Sequence, residues 1–452
     1  MKKKAAGSKG LLISDAAIVT LSGLKNADIL VQDGLISRIA YHDDPNYALP
    51  SVPEGSATEV IDATGMLVFP GLVDCHVHFR EPGLTHKATM ASEAKAARSG
   101  GVTTVCEMPN TNPPTVTVAA FKEKVVIAEK ITDCDIRFFF GITEDEHIVE
   151  LQTLLKNEAL RCRCAGVKLY LDHSTGNQKV EDGLLEEIFE LCASVRLPIV
   201  AHCEDPKVNA AAAAANKSHE IAAHALVRPP EAEEISVGHA IDLARASGAQ
   251  LHIAHLSTKG GLDRVRAAKK EKLAITCEVA PHHLFLTVRD FETLGTLAKM
   301  NPPLRTDEHV EALWEGIEDG TVDCISTDHA PHTLQEKQAE DPLKAPSGVP
   351  GVETMLPLLL TVAAGGWPHP AGGAQEPSSP LQYPDIVRLC FENPNAIFAL
   401  GKLGIEEGVP VDMILVDPRE EWMIGGKSLH SLCGWTPYEG WKVRGEVVRV
   451  IR

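Results

Sequence analysis

Two kinds of hydrophobic pattern divide the chain. From residue 11 to about 68, short apolar stretches alternate with polar turns, and glycines such as Gly34 and Gly65 separate them. The same short pattern returns at 413–416 and 443–451. Between these regions, apolar strand-like segments alternate with helix-like segments such as 88–99 and 181–194. This alternation is typical of βα units and a parallel sheet.

The central region contains eight apolar segments that we interpret as parallel strands. Eight βα units predict a closed (β/α)8 TIM barrel, an α/β fold. The predicted strands lie at 69–78, 102–107, 136–141, 166–171, 198–202, 250–255, 274–279 and 322–328. We expect residues 69–400 to form the barrel, and 1–68 together with 401–452 to form a small flanking β domain. Residues 365–380, rich in Gly, Pro and Ser, are interpreted as an inserted surface loop without assigned function.

Length and charge permit this architecture and exclude other classes of protein. The 452 residues provide for a barrel of roughly 250 residues and an accessory part. The net charge of −19 comes with no basic run beyond the start and Lys269 and Lys270, so we expect no nucleic-acid partner. No apolar run approaches the roughly 18 residues of a membrane span, so no membrane partner is expected either.

The expected location is cytoplasmic. The basic start, Met1 to Lys4, is not followed by a long apolar stretch and a cleavage site, so we interpret it as a frayed end and not as a signal peptide. The 11 cysteines are scattered without a Cys-x-x-Cys pair. That distribution favours reduced thiols that pack as small hydrophobic side chains.

Residues that can bind metal follow several predicted strands at the same end. His76 and His78 are two residues apart on the first strand, so both imidazoles face one side. His202 ends the fifth strand, His255 the sixth and Asp328 the eighth. Each histidine alone is compatible with an ordinary core role, but independent structural roles would not all fall at the active-site end of a barrel. We therefore expect the set to bind metal.

Lys168 lies inside the apolar fourth strand, where a buried ammonium group is costly. Beside metal ions, its neutral amine can take up carbon dioxide and become a carbamate, whose two oxygens bridge two cations. The alternative is a lysine that points outward between helices. His252 alternates with His255 on the sixth strand, so we expect it to face the helices and exclude it from the site.

Several motifs of the chain resemble those of the amidohydrolase superfamily. The order of its candidate ligands is similar to the metal set of that superfamily: His76-x-His78, Lys168, His202, His255 and Asp328. The surrounding sequence resembles the cyclic amidohydrolases, and among them the dihydroorotases, in FPGLVDCHVHFREPG (69–83), MPNT (108–111), NPPLR (301–305) and TDHAPH (327–332). The resemblance extends from about Leu12 to Asp417. It is weakest at the very start, at 365–380 and near the C-terminal end.

The resemblance implies two divalent metal ions. The ligands implied for one ion are His76, His78, Lys168 and Asp328, and those for the other are Lys168, His202 and His255. Zinc is the expected metal, since its borderline character suits imidazole together with carboxylate, although manganese or cobalt fits the same ligands. Carbon dioxide, as a carbamate on Lys168, would complete the cofactors.

The resemblance also implies a reaction, the reversible hydrolysis and cyclisation between L-dihydroorotate and N-carbamoyl-L-aspartate in de novo pyrimidine biosynthesis. A hydroxide shared by the two metals would attack the ring amide carbonyl, and Asp328 would carry a proton to the leaving ring nitrogen. These small molecules are the expected partners. A homodimer is the assembly we consider.

Four further residues are expected to bind the substrate. Arg80 and Asn110 would hold its carboxylate, and Asn301 and His332 would bond the ring. A guanidinium group binds a carboxylate through two parallel charged hydrogen bonds, so Arg80 favours dihydroorotate over neutral rings. A salt bridge from Arg80 to a local acid such as Glu81 is the alternative. Asn110 and Asn301 stand beside prolines and are also compatible with a turn role.

Neighbouring segments complete this picture, and two other functions stay open. Backbone groups of 347–351 are expected near the ligand, since glycine permits a close approach. His282 and His283 are expected to pack or to support the ligands.

The first alternative function is another cyclic amidase, a hydantoinase, dihydropyrimidinase or allantoinase, whose sites do not require an arginine at position 80. The second is a non-catalytic scaffold homologue, which would have lost metal ligands, and none is lost here.

Overall fold

The computed structural model describes residues 9–51, 57–172, 178–370, 374, 376–377 and 381–452. The basic start at 1–4 lies outside these residues, as do parts of the predicted 365–380 loop, namely 371–373, 375 and 378–380. Within the described residues, no helix combines the length and the apolar character needed to cross a membrane.

The strands form two sheets. In chain order they are β1 (Lys9–Thr20), β2 (Gly23–Gln32), β3 (Leu35–Tyr41), β4 (Ala57–Asp62), β5 (Leu67–Pro70), β6 (Leu72–Val77), β7 (Val102–Glu107), β8 (Asp135–Gly141), β9 (Cys164–Tyr170), β10 (Ile199–His202), β11 (Leu251–Ile253), β12 (Ile275–Val279), β13 (Cys324–Ile325), β14 (Met413–Met423) and β15 (Lys442–Ile451). One sheet has the order β15-β14-β5-β1-β2-β3, with β4 paired to β1. The other runs in sequence order from β6 to β13.

Helices separate the strands of the second sheet. They are α1 (Met90–Ser99), α2 (Val118–Ala128), α3 (Asp145–Leu155), α4 (Glu158–Arg161), α5 (Leu185–Val195), α6 (Pro206–Ala215), α7 (Ala223–Val227), α8 (Pro230–Ser247), α9 (Lys259–Lys270), α10 (Pro281–Phe285), α11 (Phe291–Leu294), α12 (Asp307–Glu318), α13 (Leu334–Lys337), α14 (Met355–Ala363), α15 (Tyr383–Val387) and α16 (Asn393–Ile397).

The second sheet is a parallel barrel. Each strand from β6 to β13 pairs in parallel with the next. The chain after β13 returns to the first strand, where Val77 and His329 form a parallel bridge and the His78 N–H donates to the His329 carbonyl at 2.7 Å. The predicted (β/α)8 barrel with a flanking sheet from both ends of the chain is therefore confirmed.

The strand predicted at 69–78 is two strands in different sheets. Phe69 and Pro70 pair with β14 of the flanking sheet, while β6 begins the barrel at Leu72. Gly71 lies at the junction between the two strands. The junction is too tight for a side chain, because a Cβ there would lie 2.2 Å from Thr103 Oγ1. Both strands are buried, so the apolar residues run on without a break in the sequence. The hydrophobic pattern therefore does not show where one strand ends and the next begins.

The last barrel strand is also shorter than the predicted 322–328. Ladder pairing covers only Cys324–Ile325. Beyond it, the buried Asp74 carboxylate takes over as the partner, accepting from the Thr327 N–H at 3.1 Å and from the Ser326 hydroxyl at 2.7 Å. The Ser326 N–H still donates to the Val279 carbonyl of β12 at 3.1 Å, so the Asp74 side chain replaces a strand partner only at Thr327, just before Asp328.

Two apolar cores support the two sheets. The larger core fills and surrounds the barrel, and a smaller one within the flanking sheet includes Ile13, Ile29 and Met413. All cysteines are free thiols, most of them buried.

Candidate active site

A cavity opens at the carboxyl ends of the barrel strands. Its lining consists of His76, His78, Arg80, Asn110, Tyr170, His202, His255, Asn301, Asp328, Ala330, Ser347 and Gly348. Two of the predicted site residues, Lys168 and His332, are buried but are not part of this lining. The same holds for His282 and His283, which were expected to pack or to support the ligands. Most of the predicted site residues therefore converge on one space.

The first group in this space joins β6 to the chain after β13. The Nε2 atoms of His76 and His78 lie 3.3 and 2.9 Å from Asp328 Oδ1. Asn110 Oδ1 lies 2.6 Å from His78 Nδ1, and Glu278 contacts His76 Nδ1. Because those oxygens take the Nδ1–H groups, both Nε2 atoms present lone pairs to a carboxylate oxygen, an arrangement that calls for a cation between them.

The second group consists of two imidazoles from neighbouring strands. His202 Nδ1 lies 3.0 Å from His255 Nε2. His202 Nε2 donates to Glu204 Oε2 at 2.9 Å, which leaves the lone pair on Nδ1 directed at His255. The His255 and His76 ring centroids are 5.2 Å apart, so the two groups are adjacent.

Burial favours the neutral form of His76, His78 and His255. Desolvation lowers the pKa of His76 and holds the pKa values of His78 and His255 well below the usual range. Burial also raises the pKa of Asp328, although His76 and Lys168 oppose this effect. Neutral imidazole is the form that binds a metal ion, since protonation removes the lone pair.

Lys168 lies between the elements that carry these groups. Its side chain is 1% exposed, and its Nζ has no hydrogen-bond partner among the residues that the structure describes. Burial lowers its pKa to about 8, against the attraction of Glu278 and Asp328. The predicted inward orientation is therefore the one observed, and the outward alternative is not.

This donor set fits a pair of divalent cations. His76, His78 and Asp328 offer donor atoms that all lie within 4.8 Å of one another. The lone pairs that face one another in the first group, and the Nδ1 lone pair of His202 in the second, can be taken up by bound cations. These residues can hold metal, and Lys168 is buried close enough to His76, His78 and His255 for its charge to lower their pKa values.

Acidic residues behind the ligands were missing from the sequence prediction. Glu278 accepts from the His255 N–H at 3.1 Å in addition to its contact with His76. Asp74 accepts from the His76 N–H at 3.2 Å, and burial raises its pKa to about 6. The signal was available, because Glu278 is an acid inside an apolar strand, as Lys168 is a base inside one.

The expectation that His252 faces the helices was wrong. His252 lies inside the barrel, where its Nε2 is 3.2 Å from Glu278 Oε2 and its Nδ1 is 2.8 Å from Thr276 Oγ1. The backbone of His255 has a φ of 33°, so the strand alternation counted back from His255 does not apply to His252.

Arg80 stands at the edge of the cavity in a strained conformation. Its side chain is 2% exposed and its φ is 66°. Its Nε donates to the Pro331 carbonyl at 3.0 Å, and its Nη2 lies 3.1 Å from His332 Nε2. Glu81 accepts from the Met90 N–H at 2.8 Å, and in the part of the chain that the structure describes Arg80 forms no salt bridge with Glu81 or another acid, so the salt-bridge alternative is not observed there.

The two predicted asparagines present their amide groups to the same space. Asn110 Oδ1 is occupied by His78, and Asn301 Oδ1 accepts from the Ser347 hydroxyl at 3.1 Å. Their NH₂ groups are the remaining donors. Gly348 brings the main chain to the cavity as expected, since a Cβ there would lie 2.7 Å from the Ala330 carbonyl oxygen.

His332 and Tyr170 differ from the sequence expectation. His332 lies behind Arg80, with Lys87 Nζ 3.0 Å from its Nδ1. Tyr170 lines the cavity, and its buried hydroxyl has no partner in the described part of the chain. Tyr170 follows Lys168 by two residues on β9, so strand periodicity places both on one face and could have identified it.

Comparisons with known proteins agree with this geometry. Residues 67–452 match the model of the amidohydrolase family. A dihydroorotase from Halobacterium salinarum is 39% identical over 415 residues, which cover 91% of each chain. The multifunctional protein CAD from Squalus acanthias is 37% identical over 388 residues, which are 85% of this chain and 15% of that protein.

Solved structures show the same architecture. An L-hydantoinase (dihydropyrimidinase) from Arthrobacter aurescens superimposes with a TM-score of 0.85 at 28% identity, over 97% of this chain and 94% of that one. The similarity therefore extends over both the barrel and the flanking sheet.

Proposed function

The chain belongs to the amidohydrolase family, and within it to the dihydroorotases, and from this premise we propose how its barrel mouth performs the reaction. The protein is a hydrolase that acts on a cyclic amide. The reaction is the reversible opening of L-dihydroorotate to N-carbamoyl-L-aspartate, a step of pyrimidine biosynthesis. The particular residues and cofactors assigned below are our proposal.

Members of this family generally hold two metal ions, and the facing donor groups of the cavity fit such a pair. We assign one ion, most simply zinc, to His76, His78 and Asp328, and the other to His202 and His255. When bound, the pair supplies an activated water nucleophile and polarises the scissile carbonyl. Lys168 would reach both as a carbamate.

The carbamate forms by a balanced addition. The neutral Nζ of Lys168 attacks carbon dioxide, a C–N bond forms, and the amine loses one proton to give an anion with two oxygens. The lowered pKa of Lys168, about 8, supports this step because a larger fraction of the amine is neutral than in a solvated lysine.

Arg80 and Asn110 select and orient the substrate. Dihydroorotate carries a carboxylate on its ring, and the Arg80 guanidinium is buried at the cavity edge, with its Nε donating to the Pro331 carbonyl and its Nη2 3.1 Å from His332 Nε2. No ion pair of Arg80 is found among the described residues, and a buried guanidinium in that situation is stabilised by an anionic ligand. This position of Arg80 is the observation that carries the choice of substrate.

Asp328 moves the proton. Its Oδ1 lies at the centre of the first imidazole group, where it would accept a proton from the attacking water and donate it to the leaving ring nitrogen. The Thr327 bonds to Asp74 hold the backbone before it. Asn301, with its amide group in the cavity, would bond the ring, and His332 would keep Arg80 in place.

The proposal is tested by measuring the rate of L-dihydroorotate ring opening and the metal content of the same protein. We expect a clear preference for this substrate over dihydrouracil, hydantoin and allantoin, together with two metal ions at the mouth. A protein that prefers a neutral ring would contradict the substrate and favour the hydantoinase alternative. The homodimer is tested by analytical ultracentrifugation of the same preparation, and the cytoplasmic location by cell fractionation.

A further inference from the structure

A second group of metal-ligating side chains lies in the barrel core and takes no part in the proposed reaction. Cys75 on β6, His252 on β11 and Cys324 on β13 each offer one donor atom, and these atoms all lie within 4.8 Å of one another. The three side chains are at most 1% exposed. Two sulfur atoms and one imidazole nitrogen from three strands therefore meet inside the barrel.

His252 is oriented as a ligand would be. Its Nδ1 lies 2.8 Å from the hydroxyl of Thr276, which fixes the ring and directs Nε2 toward the group. An outer hydrogen bond of this kind usually accompanies a histidine that binds metal, because it sets the tautomer and the ring orientation.

Glu278 provides a fourth donor. Its Oε2 lies 3.3 Å from Cys75 Sγ and 3.2 Å from His252 Nε2. Two sulfurs, one nitrogen and one carboxylate oxygen are a donor set that thiophilic divalent ions accept in tetrahedral geometry. The ligands at the mouth offer nitrogen and oxygen only, so the two sites differ in their chemistry.

We propose that Cys75, His252 and Cys324, with Glu278, bind one thiophilic divalent ion of the zinc class in the barrel core. Binding requires both thiols as thiolates and His252 as the neutral imidazole, so the protons on these three donor atoms are released to solvent when the ion enters. Because β6 and β13 are the first and last barrel strands, the ion ties together the seam at which the barrel closes.

Glu278 contacts both the proposed core site and the histidines of the cavity at the carboxyl ends of the barrel strands. Oε2 of this carboxylate faces the core group, while Oε1 contacts His76 Nδ1 and accepts from the His255 N–H. The core ion would therefore fix the carboxylate that orients two mouth ligands. Glu278 is a positioning residue in this scheme, since it acts through His76 and His255.

Cobalt distinguishes the two sites without an activity measurement. The full-length protein is stripped of metal and reloaded with Co²⁺ alone, and its near-ultraviolet absorption is recorded. Thiolate-to-cobalt charge transfer is expected from the core site only, since the mouth offers no sulfur. Each chain should bind one cobalt ion in the core in addition to the ions bound by the cavity residues.

Matched serine variants give the decisive comparison. Cys324→Ser should abolish the charge-transfer band and lower the cobalt content by one ion, whereas Cys390→Ser, at another buried thiol near Ile325, should change neither. His252→Gln serves as a second variant if Cys324→Ser does not fold, with the same expected loss. Absence of the band in the wild type, a Cys75–Cys324 disulfide found by mass spectrometry, or a band that survives in Cys324→Ser would each overturn the proposal.

Discussion

Single residues carry the chemistry because their positions are unfavourable without a ligand. Lys168 is a buried amine without a partner among the described residues, and Arg80 is a buried guanidinium in a left-handed backbone conformation. Burial of such groups is costly unless an anion compensates it. In the proposed function, Lys168 becomes a carbamate and Arg80 binds the substrate carboxylate.

Arg80→Met tests the substrate anchor. The change keeps much of the apolar stem and removes the charged group. A charged hydrogen-bonded contact contributes about 1.5–3 kcal/mol, so kcat/KM for dihydroorotate should fall roughly ten- to a hundredfold. Dihydrouracil, the same ring without a carboxylate, should react poorly with both proteins and change little. Equal losses on the two rings would reject the anchor role.

Lys168→Ala tests the bridging role. We expect loss of most activity and of bound metal, because the anion shared by the two ions disappears. Short carboxylic acids in the buffer should restore part of the activity by replacing the carbamate. Lys95→Ala, at an exposed lysine on α1, is the control. Full activity with two metals per chain in Lys168→Ala would show that the bridging assignment is wrong.

The lowered pKa of Lys168 predicts a pH dependence of reactivation. Burial disfavours the ammonium form, so the neutral fraction grows as pH rises and saturates above about 8, rather than near the ordinary lysine value of 10.5. At constant dissolved CO₂, recovery of metal-stripped protein should accelerate about tenfold per pH unit below that value and then level off. Stopped-time activity assays measure the rate. A midpoint near the ordinary lysine pKa would contradict a buried amine.

At the scale of elements, the ends of the barrel strands are the functional parts. Arg80, His255 and Asp328 all have positive φ values, of 66°, 33° and 46°. Non-glycine residues are rare in that region and concentrate at functional sites. The turns they form direct side chains from three different strands into one cavity.

Sequence periodicity predicted the elements better than their ends. The alternation of strands and helices was sufficient for the barrel, and the polar residues that end the apolar strands were sufficient for most of the cavity. The hydrophobic periodicity could not separate β5 from β6, because both halves of 69–78 are buried. It also failed at His252, because strand alternation does not include the left-handed turn at His255. The roles of the site residues and the domain limits at 68 and 400 stay predictions.

Gly71→Ala tests the boundary between the two sheets. An added Cβ would lie 2.2 Å from Thr103 Oγ1 and 2.4 Å from Asp412 Oδ1, so the side chains of Thr103 and Asp412 must shift at the junction of the two sheets. Overpacking of this kind typically costs about 1–3 kcal/mol, measurable as a lower urea midpoint. Gly183→Ala, where no atom lies within 4 Å of the new Cβ, should be close to neutral. Equal stability of the two variants would show that the junction can relax.

At the scale of the whole molecule, one buried carboxylate joins the barrel to the segment between β14 and β15. Glu93 on α1 lies 2.7 Å from His329 Nε2 and accepts from the Ser431 hydroxyl at 2.6 Å and the Leu432 N–H at 3.1 Å. His329 is therefore held away from the cavity although it adjoins Asp328. The contact couples the position of the catalytic segment to the C-terminal part of the chain.

Glu93→Gln should weaken this connection while it preserves the shape. The NH₂ group of glutamine cannot accept a hydrogen bond, so at least one N–H donor, that of His329 or Leu432, loses its partner, at a cost of about 2 kcal/mol. Urea denaturation measures the loss, and Glu123→Gln at an exposed position of α2 is the control. An unchanged midpoint would mean that the segment is held mainly by its apolar contacts.

The pairing of β5 with β14 has a consequence for synthesis on the ribosome. The strands up to β5 are synthesised before the barrel, yet the free edge of β5 must wait until the whole barrel has been translated before Met413–Met423 can cover it. During that interval an open strand edge is a template for pairing with other chains. A premature stop codon shortly before residue 413 would therefore produce an aggregating product, and not a nearly complete enzyme that retains most of its activity.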